Sequence, residues 1–144
     1  TYSEWIATGA VTFIDDSDLA VGAGDVTFIS DDFGSNGFNG AAFAFSGSVE
    51  CVVMVNGIPV DSNDCNTTTL RADSGIIYLN DYYLGDVWAI LTDLPERVIQ
   101  HEIGHIFGMA HAPSGCTTFM ETYLDGFEPD TLRTWEVTWI NANY

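Results

Sequence analysis

All three histidines of this 144-residue chain lie within eleven residues, in the segment HEIGHIFGMAH at 101–111. His101 and His105 are four residues apart, which places both rings on one face of a helix, one turn apart. Gly108 permits a sharp turn after that helix, and the turn can bring His111 back to the same face. The segment therefore predicts a helix, a reversal of the chain and a third ring beside the first two.

The helix that carries the first two histidines is predicted to begin after Asp93. Glu96 follows Asp93 by three residues, which is a capping-box pattern, and Pro95 is tolerated only in a first helical turn. Apolar side chains recur at helical spacing along the segment and are predicted to face the core. These are Ile99, Ile103, Ile106 and Phe107.

A second helix is predicted near the end of the sequence, within PDTLRTWEVTWINANY at 129–144, with Asp130 as its candidate cap. Its apolar side chains recur at helical spacing, so they are predicted to form a buried face rather than a ligand-binding box. They are Leu132, Trp135, Trp139 and Ile140.

Strand patterns dominate the first 80 residues, where β-branched and aromatic residues are bounded by Asp, Gly and Asn. Asn56-Gly57 between two such runs is a hairpin signal. Strands followed by helices, with no internal repeat, predict an α+β fold in a single domain spanning residues 1–144. The predicted strands lie in GAVTFID (9–15), DVTFISD (25–31), GAAFAFSGSVE (40–50), VECVVMV (49–55), IPVD (58–61) and GIIYLND (75–81).

The charge balance of the chain is strongly acidic. It has 21 acidic residues, three arginines and no lysine, which gives a formal net charge of −18. Nucleic acids and anionic membranes require basic patches, so neither is expected as a partner. The apolar runs are too short to span a bilayer. The chain begins at Thr1 with no visible signal peptide, and we expect a mature, secreted and monomeric protein.

Three cysteines, Cys51, Cys65 and Cys116, allow three possible disulfide pairs, and the sequence does not choose between them. A Cys51–Cys65 bridge would close a short loop and contribute roughly 3 kcal/mol in the chain-entropy model. The remaining cysteine would be either a buried, inert thiol or a thiolate ligand.

The imidazoles of His101, His105 and His111 can together bind one zinc ion and leave its fourth coordination position open. Glu102 directly follows His101, so it would lie beside the metal, where it suits a base acting on metal-bound water. A lone histidine is more often a satisfied surface or core residue than a ligand. Here the motif uses every histidine of the chain, which favours the zinc site.

HEIGHIFGMAH resembles HExxHxxGxxH, the signature of the metzincin zinc endopeptidases. The resemblance implies that His101, His105 and His111 bind zinc. It also implies hydrolysis of protein or peptide substrates, in which Glu102 takes a proton from the attacking zinc-bound water and passes it to the leaving amine. Met120 lies nine residues after His111 and would be the methionine of the family's Met-turn.

The layout of the chain is most similar to the matrixin-type catalytic domains of that family. The resemblance implies a mixed twisted sheet over the active-site helix in an upper part at 1–108, and a Met-turn and C-terminal helix in a lower part at 109–144. GAAFAF (40–45) would be an antiparallel edge strand that pairs with extended substrate, and ETYLDGF (121–127) would line the specificity pocket. The family's first strand and most of its first helix have no counterpart in the sequence.

Two positions depart from the common family pattern. The residue after the third histidine is Ala112, which leaves the subfamily open. Thr122 stands where some relatives have a tyrosine ligand, and Tyr123 follows it, so Tyr123 is not assigned as a ligand. A zinc-binding domain of the same kind that is inactive, or latent through Cys116, stands as the alternative to an active peptidase.

The loop DDFGSNGFNG (31–40) supports two interpretations. Asp31, Asp32 and Asn36 resemble the calcium-wrapping loops of matrixin relatives, which makes Ca²⁺ a second candidate metal. Asp-rich and Gly-rich composition is equally ordinary for a loop, and the chain has no complete EF-hand pattern. The sequence leaves both interpretations open.

Overall fold

In a computed structural model of the protein, the described residues form an α+β fold with five strands and three helices. None of these helices has the length and apolarity that a membrane crossing needs. The residues described are 26–45, 52–61, 72, 74–86, 89, 93–112, 118–122 and 132–143. The elements are β1 (Val26–Asp31), β2 (Gly40–Phe45), β3 (Val52–Val55), β4 (Ile58–Asp61), β5 (Ser74–Asn80), α1 (Asp81–Leu84), α2 (Leu94–Ile106) and α3 (Thr134–Asn143).

β5 is the central strand of a mixed sheet, whose order among the described strands is β1-β5-β2. β1 runs parallel to β5, and β2 runs antiparallel to it with Ala42 opposite Ile77. β5 is buried from Gly75 to Asn80, which explains why its sequence is a continuous apolar run instead of an alternating one. GAAFAF is thus an antiparallel strand at one end of the described sheet, as predicted.

β3 and β4 form a hairpin whose turn is Asn56-Gly57. Asn56 has a φ of 54° and Gly57 a φ of 79°, so both lie in the left-handed region that a type I′ turn requires. The predicted strand at 9–15 lies outside the described residues. The other predicted segments each contain a described strand: 25–31, 40–50, 49–55, 58–61 and 75–81.

The main core lies between the sheet and α2. Ile103 and Ile106 are buried as predicted, whereas Ile99 and Phe107 are only partly buried and pack at the margin of the core. The difference arises because the buried face of α2 also includes the residues of the histidine motif. Gly75 lets α2 approach the sheet closely, since a Cβ at this position would collide with the side chain of Ile106.

α2 begins after Asp93, as predicted, but without the predicted capping box. Asp93 has a φ of 54°, and its side chain makes no capping hydrogen bond. A capping carboxylate requires extended backbone at its own residue, so the left-handed conformation of Asp93 makes the capping-box prediction wrong. Pro95 lies in the first turn of α2, where its missing N–H leaves no helical hydrogen bond unmade.

α2 ends in a Schellman motif at Gly108, which has a φ of 86°. The N–H of Gly108 donates to the carbonyl of His105 at 2.8 Å, and the N–H of Met109 donates to the carbonyl of Gly104 at 3.0 Å. The predicted glycine stop is confirmed. Gly108 reverses the direction of the backbone shortly after the second histidine, His105.

α3 lies within the predicted segment but presents a different face to the core. Ile140 is fully buried as predicted, while Trp135 is 42% exposed, so its predicted burial is wrong. Glu136 is fully buried, and its carboxylate accepts the N–H of Arg133 at 2.5 Å. This bond from the third helical residue back to the cap satisfies a free N–H at the helix start, and it turns Glu136 inward. The predicted cap Asp130 lies outside the described residues.

Asn80, at the end of β5, is a fully buried polar residue that orders the loop between β1 and β2. Its Oδ1 accepts the N–H groups of Phe33 and Tyr82 at 3.1 and 3.2 Å. Its Nδ2 donates to the carbonyls of Gly34 and Phe38 and to Oδ1 of Asn36 at 3.0 to 3.1 Å. One side chain therefore connects β5, the start of α1 and the loop that leads into β2.

We expect Asn80→Ala to lower the free energy of unfolding by roughly 2–4 kcal/mol, because it leaves several buried backbone groups without partners. The matched control is Asn141→Ala, since Asn141 is exposed on α3 and its loss should change stability by no more than about 0.5 kcal/mol. Urea unfolding followed by circular dichroism measures both. Equal stabilities for the two variants would contradict this account of Asn80.

Candidate metal centre

The structure brings the three histidines together at the end of α2. The Nε2 atom of His105 lies 3.0 Å from Nε2 of His101 and 3.2 Å from Nε2 of His111. The ring of His101 is buried, that of His105 is partly buried and that of His111 is exposed. The three nitrogens thus form a cluster that is closed on the core side and reaches solvent at His111.

Two of the rings are fixed by hydrogen bonds from their other nitrogen. Nδ1 of His101 lies 2.5 Å from the carbonyl oxygen of Phe119, and Nδ1 of His105 lies 2.8 Å from that of Met109. A carbonyl oxygen can only accept a hydrogen bond, so each Nδ1 carries the hydrogen and donates it. In a neutral ring, Nε2 is then the unprotonated nitrogen with a free lone pair.

The surroundings keep these rings neutral. Burial, followed by the neighbouring His105, lowers the pKa of His101 to about 4, and burial likewise lowers the pKa of His105. The lone pairs of the two Nε2 atoms therefore face each other at 3.0 Å with no hydrogen between them. Such a contact is repulsive unless a cation lies between the nitrogens.

The geometry fits a metal ion. A tetrahedral ion with bonds of about 2.0–2.1 Å to imidazole nitrogen holds its ligand nitrogens roughly 3.3 Å apart, close to the spacings of the cluster. Among the described residues, the cluster of His, Cys, Asp or Glu side chains that could hold a metal ion consists of these three histidines. Hydrogen bonds from Nδ1 to backbone carbonyls are also the usual way in which ligand histidines are oriented.

A tight turn at 118–121 supports the histidines from the core side. The N–H of Glu121 donates to the carbonyl of Thr118 at 3.4 Å and closes the turn. The carbonyl of Met120 accepts the N–H of Ala112 at 2.6 Å, which fixes the backbone next to His111. Met120 is fully buried as part of the core.

Glu102 lies on the side of α2 that faces β2, and it is only 5% exposed. Burial raises the pKa of its carboxyl group to about 8, although a hydrogen bond from the backbone N–H of Ala42 acts in the opposite direction. Its Oε2 is buried and has no hydrogen-bond partner among the described residues. A buried carboxylate oxygen without a partner is rare in proteins and requires an explanation.

Gly40 makes room for this carboxyl group. A Cβ at Gly40 would lie 2.6 Å from Cγ1 of Val98 and 2.8 Å from Oε1 of Glu102. Any larger residue would have to displace α2 or the carboxylate from the strand. Glu102 is therefore held against the first residues of β2.

The side chains proposed for calcium serve the loop itself. Oδ1 of Asp31 accepts the N–H of Asp32, and Oδ1 of Asp32 accepts the N–H of Gly34, both at 2.8 Å. Nδ2 of Asn36 donates to the carbonyl of Phe33 at 2.8 Å. These are the local bonds that Asp and Asn ordinarily make in turns, and the calcium interpretation stays a prediction.

Several predicted residues fall outside the described residues. The disulfide pairing, the thiolate ligand and most of the predicted pocket wall therefore stay predictions. The positions concerned are Cys51, Cys65, Cys116, Tyr123 and 123–127.

Three residues that shape the site, Thr118, Phe119 and Glu136, were not identified from the sequence. Phe119 acts through its backbone carbonyl, which any residue possesses, so no sequence signal could identify it. Glu136 carries one weak signal, because an acid at the third helical position often accepts the cap N–H. Its contact with Thr118 joins residues eighteen positions apart and leaves no local pattern.

Comparison with protein-family models, with curated proteins and with solved structures finds no match for the chain. The resemblance to the metzincins therefore depends on the residues themselves, namely HEIGHIFGMAH at 101–111 and Met120.

We expect Glu102→Gln to change how stability depends on pH in protein treated with a chelator. The folded-state pKa of Glu102 is raised from 4.5 to about 8, so its contribution to stability is fully present below pH 4.5 and is lost as the pH rises toward 8. Relative to the glutamine variant, the free energy of unfolding of the wild type should fall by up to about 1.4 kcal/mol for each pH unit in this window.

Urea unfolding of both proteins at pH 5, 6, 7 and 8 measures the difference. His101, whose lowered pKa removes stability as the pH falls below 6.5 toward 4, contributes to both proteins and cancels in the comparison. A constant difference across the whole window would refute the burial of an ionisable Glu102.

Proposed function

We propose that the protein is a zinc-dependent endopeptidase of the metzincin type. One observation carries the proposal: two neutral imidazoles face each other through bare Nε2 atoms at 3.0 Å, with a third Nε2 3.2 Å from one of them. Such a contact is repulsive, and a cation that joins the nitrogens would make it favourable. Three imidazole ligands suit Zn²⁺ among the common biological metals.

The arrangement around the histidines supports hydrolysis rather than structural metal binding. Structural zinc sites are closed by four protein ligands, whereas catalytic sites keep a position open. The described residues supply three ligands, and the third, His111, is exposed. When bound there, zinc supplies a Lewis acid with an open coordination position for water or for a peptide carbonyl.

Glu102 is our candidate for the general base. It follows His101 directly on α2, its carboxylate is shielded from solvent, and its Oε2 is free to accept a hydrogen bond. In the proposed reaction, Glu102 takes a proton from the water that attacks the peptide carbonyl. It then delivers this proton to the nitrogen of the leaving amine as the C–N bond breaks.

β2 is the candidate binding strand for substrate. It pairs with β5 on one side, and the described residues place no strand on its other side. An extended peptide can add to such an edge through backbone hydrogen bonds. Since Glu102 accepts the N–H of Ala42, a peptide bound along β2 would pass close to the proposed base. The succession of mixed sheet, α2, 118–121 turn and α3 also agrees with a metzincin layout.

The proposal predicts that the wild type binds about one zinc ion per chain and that zinc raises its melting temperature. His105→Ala should abolish both effects, because Nε2 of His105 is the nitrogen close to both other rings. Zinc content after gel filtration and thermal unfolding with and without zinc are the measurements. Glu96→Gln, at an exposed position of α2, is the control and should behave as the wild type. Full zinc occupancy in His105→Ala would refute the site.

The proposal also predicts that Glu102→Gln lowers the rate of peptide hydrolysis by roughly 100-fold to 10,000-fold, the usual contribution of a general base. The variant should keep its zinc, because Glu102 is not a ligand. The assay follows cleavage of a denatured protein with and without a chelator, with cut sites mapped by mass spectrometry. Glu96→Gln makes the same substitution on the same helix and should leave the rate unchanged. A wild type that binds zinc but cleaves nothing would favour the inactive or latent domain.

A further inference from the structure

Glu136 of α3 is a buried acid that the proposed chemistry does not use. It is fully buried, and both of its carboxylate oxygens have partners. Oε2 accepts the N–H of Arg133 at 2.5 Å, and Oε1 accepts the hydroxyl of Thr118. Taking a carboxylate out of water is costly unless strong hydrogen bonds compensate it. The two hydrogen bonds that compensate its burial therefore hold two other groups, the N–H of Arg133 and the hydroxyl of Thr118.

Thr118, which donates a hydrogen bond to Glu136, makes the hydrogen bonds that close the 118–121 turn. Its hydroxyl accepts the N–H of Met120 at 3.3 Å while it donates to Glu136. Its carbonyl accepts the N–H of Glu121 at 3.4 Å. Thr118 is fully buried, so no solvent can replace these bonds. The carboxylate of Glu136 thus fixes the turn to the first turn of α3.

The 118–121 turn binds the ring of His101 and the backbone next to His111. The carbonyl of Phe119 accepts Nδ1–H of His101 and sets the orientation of that ring. The carbonyl of Met120 accepts the N–H of Ala112, the residue next to His111. A shift of the turn would therefore move the ring of one ligand and the backbone of another.

We propose that Glu136 is a positioning residue for the metal centre, acting through Thr118 and the 118–121 turn on His101 and His111. The inference rests on the metal site of the proposed function but not on peptide hydrolysis. Groups that orient metal ligands commonly change metal affinity by roughly 10-fold to 100-fold when they are removed. Glu136 lies one peptide link and one hydrogen bond further from the histidine rings than such groups usually do, and its rigid burial transmits the constraint.

The test compares zinc affinity in four variants. Thr118→Val keeps the shape of the side chain and removes the hydroxyl, so the zinc dissociation constant should rise by roughly 10-fold to 100-fold. Glu136→Gln should raise it in the same direction, because an amide can accept only one of the two hydrogen bonds. Thr118→Ser restores the hydroxyl and should stay within about 3-fold of the wild type. Thr138→Val is the matched control, since Thr138 is exposed on α3 and its hydroxyl donates to the carbonyl of Thr134 within that helix.

Competition with a chromophoric chelator gives the dissociation constants, and the visible absorption of the cobalt-substituted protein reports the ligand geometry. A purely structural role would lower the stability of zinc-free and zinc-bound protein equally, without changing either readout. Positioning predicts a changed cobalt spectrum and a smaller rise of melting temperature with zinc in Thr118→Val and Glu136→Gln. Where Thr118→Val fails to fold, Glu136→Gln decides, because it keeps the volume of the side chain.

Folded Thr118→Val and Glu136→Gln proteins with wild-type zinc affinity and cobalt spectra would overturn the inference, whatever the peptidase activity. Absence of zinc binding in the wild type would overturn both the inference and the metal site. Absence of peptide hydrolysis in a wild type that binds zinc would overturn the peptidase alone. The three failures are thus distinguished by separate measurements.

Discussion

The contact between the bare Nε2 atoms of His101 and His105 is the constraint on which the rest of the site depends. Two lone pairs 3.0 Å apart repel each other, so the rings would rotate away if nothing held them. Each ring is held by one backbone carbonyl on its far side, at Phe119 and at Met109. The surrounding fold can be understood as the means of placing these two carbonyls.

The two carbonyls are supplied by different parts of the chain. That of Met109 comes from the Schellman motif, in which the left-handed Gly108 directs the N–H of Met109 to Gly104. That of Phe119 comes from the 118–121 turn, which α3 holds through Glu136. Gly108 therefore has two effects, since it ends α2 and also orients the second histidine. The candidate metal centre is consequently positioned by residues outside the histidine cluster.

The sequence predicts those features that depend on neighbouring residues. The end of α2 at Gly108, the Asn56-Gly57 hairpin and the apolar β5 all follow from local rules and are found in the structure. The prediction failed where a distant contact overrides a local preference. Trp135 is exposed because Glu136 turns toward Thr118 instead. The role of Asn80 could not be predicted either, since all its partners except Tyr82 lie more than forty residues away.

The two buried glutamates show how burial alone fails to identify a reactive group. Glu136 and Glu102 are similarly inaccessible, but both oxygens of Glu136 are hydrogen-bonded, whereas Oε2 of Glu102 has no partner in the described residues. The first arrangement satisfies both oxygens of the acid and makes it a fixed support. The second raises the pKa of the acid and leaves an oxygen available to take up a proton. An unsatisfied carboxylate lowers stability, and the proposed role of Glu102 as general base would give that loss a chemical purpose.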